Sequence, residues 1–303
     1  MANATPVSVG LVNKSGTEDA LFLKVFAGEV LTSFDRASKT TGQEMVRSIS
    51  SGKSATFPVM GRIDAAYHTA GAEITGSDVN HNEKVITIND LLISSVFLSN
   101  IEEAKNHWDV RSAYSAEIGR ALAFVKDKHV LQTIGLASQA NANVSDTGYG
   151  AGSTVTNTDI ANATAATSAN GFITALFDCA KNLDNNYVPA EGRKCFLDPE
   201  MYYKLANATN AINVDFSGKG SIAEGRVQKI AGIELVPMAH FVKDDVGTSD
   251  VDAGQTATGG TPQSVNLTNY EGLVSHPSAV GTVKLMDLAV ESEYDIRRQG
   301  TLM

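Results

Sequence analysis

Gly52-Lys53-Ser54 ends the way a phosphate-binding loop ends, with a lysine for phosphates and a hydroxyl for magnesium. The full pattern needs a glycine at the position of Arg47, so a β-turn entering a strand is the preferred reading. Gly218-Lys219-Gly220-Ser221 is neither a dinucleotide fingerprint nor a nucleophile elbow, and reads as a loop. The histidines are His68, His81, His107, His129, His240 and His276; none forms a His-x-x-x-His pair or sits at ligand spacing from a cysteine. His81 beside Glu83 suggests acid–base chemistry, but both fall near a loop tip, away from any expected pocket. Cys179 and Cys195 lie in apolar surroundings and read as buried, inert thiols. Asp244, Asp245, Asp250 and Asp252 resemble a calcium loop superficially, yet lack its register and terminal glutamate. No catalytic residue, cofactor or metal is expected.

Basic residues are the more informative group. Arg36, Arg47, Lys53, Arg62, Lys84, Arg111, Arg297 and Arg298 fall on protruding segments, and Glu29, Glu83, Glu102, Asp109 and Glu117 fall on similar ones. Two readings stand: solvated faces worth little each, or charge pairs between subunits that set register and partner choice.

The elements that must carry these residues follow from periodicity. Polar residues 1–20 read as an arm, and Ala20–Phe34 (ALFLKVFAGEVLTSF) as an amphipathic helix that needs a docking surface. Ala55–Ala66 and Glu83–Leu98 read as extended segments joined by the polar stretch Tyr67–Asn82, a long hairpin. A two-stranded hairpin is barely stable in water, which predicts support from a neighbouring chain. Ser99 with Glu102 fits a capping box, and helical spacing then continues to about Gly135, a strut of about 50 Å. Ala137–Asn170 is low in large apolar residues and reads as a linker. A unit of alternating helices and strands follows: helix Gly171–Leu183, strand Lys194–Leu197, helix Met201–Ala206 behind Asp198-Pro199, and strand Ile230–Pro237 with a turn or bulge at Gly232. Lys243–Asn269 reads as a surface insertion, and Gly281–Ile296 as a long terminal strand.

Composition sets the outer bounds. The chain has 303 residues, 24 basic and 34 acidic, for a formal net charge of −10, and 19% of it is charged. That excludes a basic nucleic-acid reader, a coiled coil and, with two cysteines, a disulfide scaffold. Met1–Gly10 has no signal-peptide pattern, and no window approaches a membrane span, so a soluble protein made in a cytoplasm is expected.

Several segments, in order, resemble the major capsid proteins of short-tailed, T-seven-like bacteriophages. They are Ala20–Phe34, Val46–Arg62 (VRSISSGKSATFPVMGR), Ala65–Gly71 (AAYHTAG), Glu83–Leu92 (EKVITINDLL), Asn106–Ser115 (NHWDVRSAYS) and Ser278–Leu288 (SAVGTVKLMDL). The resemblance implies the α+β Hong Kong ninety-seven (Johnson) capsid fold. Its expected parts are an N-terminal arm at 1–49, an extended β-hairpin loop at 50–98, a peripheral domain with a long spine helix and linker at 99–170, an axial domain at 171–280 with insertion 243–269, and a returning peripheral strand at 281–303.

The function so implied is structural: hexamers and pentamers forming an icosahedral shell around a double-stranded DNA genome. Scaffolding protein, portal and decoration proteins are the expected partners, with no membrane and no sequence-specific DNA binding. Localisation would be the virion, after assembly in the host bacterial cytoplasm. Arg36, Arg47, Lys53, Arg62, Glu83, Lys84 and Arg111 are the expected assembly contacts. Chain-mail crosslinking is not implied. Relatives continue past the position of Met303 with a further strand, so the natural end is expected beyond it. The alternatives are an encapsulin-like nanocompartment shell of the same fold, an Asn/Thr-rich adhesin and, least supported, an enzyme.

Overall fold

The computed structural model describes residues 30, 32–34, 37–63, 65–74, 76, 78–88, 91–101, 110–144, 150–208, 229–243, 245–246 and 265–303. The strands are β1 (Met45–Ser48), β2 (Ser54–Met60), β3 (His81–Thr87), β4 (Phe97–Ser99), β5 (Lys194–Leu197), β6 (Lys229–Ile230), β7 (Ile233–Pro237), β8 (Asp245–Val246), β9 (Val265–Asn266), β10 (Gly272–Ser275), β11 (Gly281–Lys284), β12 (Glu293–Asp295) and β13 (Gly300–Leu302). The helices are α1 (Val110–Gln139), α2 (Ala165–Asn185) and α3 (Pro199–Ala206). The chain forms two compact units: Met1–Thr41 with Leu91–Asp127 and Met286–Met303, and Gly42–Asp90 with Lys128–Leu285.

The larger unit is built on a mixed sheet of order β10-β5-β7-β6, in which β5 and β7 run parallel and the outer pairs antiparallel. The parallel pair needs a crossover, and α3 lies within it. Period-two alternation sends side chains into two separate cores. Cys195, Leu197, Ile233 and Leu235 meet Phe172 and Leu176 of α2 and Met201 and Leu205 of α3. Phe196, Leu273 and Val236 meet Val130, Leu131 and Ile134 of α1. A strand covered on both faces has no room for polar residues, which is why Cys195-Phe196-Leu197 is continuously apolar. β6 turns into β7 through Ala231 at φ 51° and Gly232 at φ 76°, the paired positive φ of a type I′ hairpin turn.

In the smaller unit β4, β13 and β12 form a three-stranded antiparallel sheet with β13 central. Val30, Ile118 and Leu122 form its core, flanked by Phe34, Val96, Leu288, Val290 and Met303. Gly119 permits the close approach of the first segment to α1, since a Cβ there would lie 2.6 Å from the Val30 carbonyl oxygen. The carboxylate of buried Asp127 accepts from the Ser38 hydroxyl at 2.7 Å, the Thr40 hydroxyl at 2.7 Å and the Lys39 backbone N–H at 2.7 Å.

Several sequence expectations meet corrections. Most of the helix expected at Ala20–Phe34 lies outside the described residues, although Val30 and 32–34 are helical. The strut runs to Gln139, beyond Gly135. α2 begins at Ala165 inside the expected linker, because small residues there are core. Ser168 and Ala169 are fully buried, and a Cβ on Gly171 would come 2.8 Å from that of Asp159. The long strand expected at Gly281–Ile296 is instead two short ones, β11 and β12, and β13 follows beyond it, with Gln299 at φ 53° in the turn between β12 and β13.

Candidate functional site

The hairpin expected from alternation is β2 paired antiparallel with β3, in register from Ser54↔Thr87 to Met60↔His81. Its strands are shorter than expected. β3 stops at Thr87, and Phe97–Ser99 belongs to the other unit's sheet. Directly opposed residues share a face in an antiparallel pair. One face therefore carries Ala55, Phe57 and Val59 with Ile86, Lys84 and Asn82, and the other carries Thr56, Pro58 and Met60 with Val85, Glu83 and His81.

The first face is turned to the body of its own unit. Ala55 is buried, Phe57, Val59 and Ile86 are half-buried, and the Asn82 side-chain amide donates to the Asn143 carbonyl at 2.7 Å. The second face and the loop beyond it are open. Met60 is 72% exposed, Ile63 73% and Ile74 81%. Apolar surface held out on a two-stranded ribbon is costly in water unless something covers it.

The expected assembly residues divide among several environments. Arg47 is engaged within its own chain: its guanidinium donates to the Thr56 carbonyl and lies 5.1 Å from the Phe57 ring centre. Arg62, just past β2, stacks 4.0 Å from the ring centre of Tyr187 at the end of α2. Lys53 follows Gly52 (φ 116°) in the turn before β2, and its carbonyl accepts from the Ile88 N–H at 2.8 Å. Lys84 stands opposite Phe57, and Glu83 opposite Pro58 on the open face. Among the described residues, none of Lys53, Arg62, Glu83 and Lys84 forms an ion pair. Arg36 lies outside the described residues; Arg111 lies on α1, its side chain outside them too.

The enzyme-like candidates gather no site. Among the described residues there is no cluster of three or more His, Cys, Asp or Glu that could hold a metal. His276 caps the 3₁₀ turn Pro277–Ala279, accepting from the Ser278 N–H. Burial pushes the Cys179 thiol up to about 11, with the Asp178 charge adding to it. Burial pushes Cys195 still higher. A thiol so rarely ionised is a poor nucleophile. His107, Asp244, Asp250 and Asp252 lie outside the described residues, as do Gly218–Ser221. No described helix is long and apolar enough to cross a membrane.

Two charged clusters had no sequence signal. Lys243, at the edge of the expected insertion, donates to Glu271 at 2.8 Å and to Asp198 at 3.0 Å. Asp198 is the residue expected to cap α3, yet its side chain makes no cap hydrogen bond. Burial lowers the Lys243 pKa, but the hydrogen bonds and charges of Glu271 and Asp198 outweigh it and the net shift is upward. Arg193, with 4% of its side chain exposed, pairs with Asp184 at 2.7 Å and donates to the Pro189 carbonyl at 2.9 Å. Both clusters are structural clamps around the mixed sheet.

Comparison with known proteins agrees with this picture of a structural chain. Residues 56–303 match the Gp10A-like family, described as major capsid protein. The major capsid protein of Escherichia phage T7 is 39% identical over 289 residues, covering 91% of this chain and 84% of that protein. That of Enterobacteria phage T3 is 38% identical, covering 90% and 82%. The capsid structure of cyanophage P-SCSP1u is 40% identical, superimposes with a TM-score of 0.73, and matches 99% of this chain and 92% of that one. The fold is therefore the α+β Hong Kong ninety-seven-like capsid fold, and the role is structural rather than enzymatic. On the family match and on these relatives, the chain belongs to the Gp10A-like family of major capsid proteins.

Proposed function

We propose that many copies of this chain assemble as hexamers and pentamers into an icosahedral shell around a double-stranded DNA genome, with the hairpin as the device by which one copy grips the next. The observation that carries this reading is the hairpin's open face, with Met60, Val85 and the loop residues Ile63 and Ile74 exposed beside charges that form no ion pair among the described residues. Arg36, Arg47, Lys53, Arg62, Glu83, Lys84 and Arg111 are assembly contacts in this proposal, Arg47 being also bound to the hairpin of its own chain. Burial of the open face and pairing of its charges occur only in the assembled state, which couples hairpin order to association.

A scaffolding protein, a portal and decoration proteins are the partners this role calls for, with assembly in the host bacterial cytoplasm. The net charge of −10 suits a container wall, because a basic surface that bound the DNA phosphates and freed their condensed counterions would hold the genome back during packaging and ejection. A compartment shell with protein cargo is not favoured, since the relatives at 38–40% identity are phage capsid proteins. Electron microscopy of the chain co-expressed with its scaffolding protein is the test. Closed shells are expected, and small oligomers under every condition would refute the proposal. An enzyme cargo without DNA in native particles would favour the compartment.

A further inference from the structure

The base of the hairpin rests on an unusual support. β1 and β11 form a two-stranded parallel sheet, Met45↔Gly281 to Ser48↔Lys284, extended by bonds from Met45 N–H to the Val280 carbonyl at 2.8 Å and from Ile49 N–H to the Lys284 carbonyl at 2.9 Å. Phe57 of β2 and Ile86 of β3 bear on this sheet at Gly281. A Cβ at that glycine would stand 3.1 Å from the Ile86 Cδ1 and 3.3 Å from the Phe57 ring. Gly281 lacks a positive φ, so the demand for glycine there is one of space. Arg47, on the supporting strand β1, completes the arrangement. It donates to the Thr56 carbonyl and covers Phe57 at 5.1 Å, tying the ribbon to the sheet by one hydrogen bond and one cation–π contact.

We propose that Arg47, Phe57, Ile86 and Gly281 form a seat that sets the angle at which the hairpin leaves its subunit, and that this angle sets the curvature of the assembled shell. The second half rests on the shell-building role proposed above. Two strands joined only to each other bend easily, so their direction is decided where they meet the body. A displacement of about 0.3 Å at the seat, levered along a strand of about 23 Å, moves the far end by about 1 to 2 Å. These are positioning residues: their part is to fix where the contacting face goes.

Direction can be measured in the free subunit and its consequence in shells. Nitroxide labels at Ala70→Cys and Glu191→Cys, in a Cys179→Ser background, report the hairpin angle by pulsed electron resonance. Arg47→Ala is expected to broaden the distance distribution and Gly281→Ala to shift it. Adding Ile86→Val, which removes the atom nearest the new methyl, is expected to return it toward wild type. Arg47→Lys, with the charge but not the planar fork, is expected between wild type and Arg47→Ala, which keeps the test open if the alanine variant does not fold. Unchanged distances in the Arg47 and Gly281 variants would overturn the seat. In electron micrographs of shells made with scaffolding protein, Gly281→Ala is expected to shift or spread the diameters, with restoration by Ile86→Val. Wild-type diameters alongside shifted label distances would overturn the link to curvature. A wild-type chain that forms no shells would refute the shell role, while the label distances still decide the seat.

Discussion

Lys243 stands between two carboxylates, 2.8 Å from Glu271 and 3.0 Å from Asp198, at the root of the stretch that the sequence marks as an insertion. Its pKa in the folded chain is raised above the ordinary 10.5. A cation whose folded pKa is raised contributes stability that is full below its unfolded pKa and is lost as pH climbs through the folded one. Lys243→Met is therefore expected to lower stability by about 1 kcal/mol at pH 7 to 9, kept small because the ammonium retains contact with water. That gap should close above the ordinary lysine value of 10.5, which urea titrations of both proteins across pH will reveal. A gap that persists unchanged into strong alkali would assign the loss to packing of the lysine stem. The thiols offer a second measurement. With Cys179 raised to about 11, its thiolate fraction at pH 8 is about 100-fold below that of an ordinary thiol. A thiolate of higher pKa is intrinsically more nucleophilic and recovers about tenfold of that. Disulfide-exchange reagent should therefore modify the native chain slower than the urea-unfolded chain by about tenfold or more; equal rates would contradict the inert reading of both cysteines.

At the scale of elements, the hairpin should be separable from the fold that bears it. Both cores of the larger unit are made by α1, α2, α3, the mixed sheet and buried residues such as Met238, Val242, Val265, Leu267 and Val280, and no described residue of 61–80 is among them. Deleting Tyr67–Val79, which spares the start of β3 at His81, is expected to leave circular dichroism and the thermal midpoint nearly unchanged while abolishing shell formation. An unfolded product would mean that the hairpin serves its own subunit first. The elements that sequence reasoning reached are those decided by near neighbours. β5 was legible at Lys194–Leu197 because a short apolar run stops at Asp198-Pro199, which also marks the start of α3. The strands of the hairpin were legible from alternation and from the turn at Gly52. What stayed hidden depends on partners distant in the chain. The first turns of α2 look like linker until Ser168 and Ala169 are seen packed as core. Asp198 looks like a helix cap until Lys243 arrives to claim its carboxylate. Gly281 looks like the start of an ordinary strand, and only the register of β11 against β1 and the hairpin shows why a side chain would crowd it.

For the whole molecule, charge is the property through which separate copies first sense one another. Each carries a net −10, so approaching subunits repel at low ionic strength, and salt weakens that repulsion over a Debye length of about 10 Å at 0.1 M. Against this background the hairpin's basic residues matter beyond their number, because Lys53 and Arg62 are among the described cations without an acidic partner at home. Lys53→Glu and Arg62→Glu each convert a local attraction for an acidic neighbour into repulsion. The subunit concentration needed for assembly is therefore expected to rise by about tenfold at 0.05 M salt, a difference near 1.4 kcal/mol per contact. The same difference should shrink toward nothing at 0.5 M salt, where exposed pairs are screened. Light scattering during assembly across that salt range measures both. A loss that is equal at low and high salt would mean that the residues act by shape, for Arg62 through its stacking on Tyr187 at 4.0 Å. No loss at either salt would leave both residues as solvated surface and move the search for the gripping contacts to the exposed apolar side chains Met60, Ile63 and Ile74.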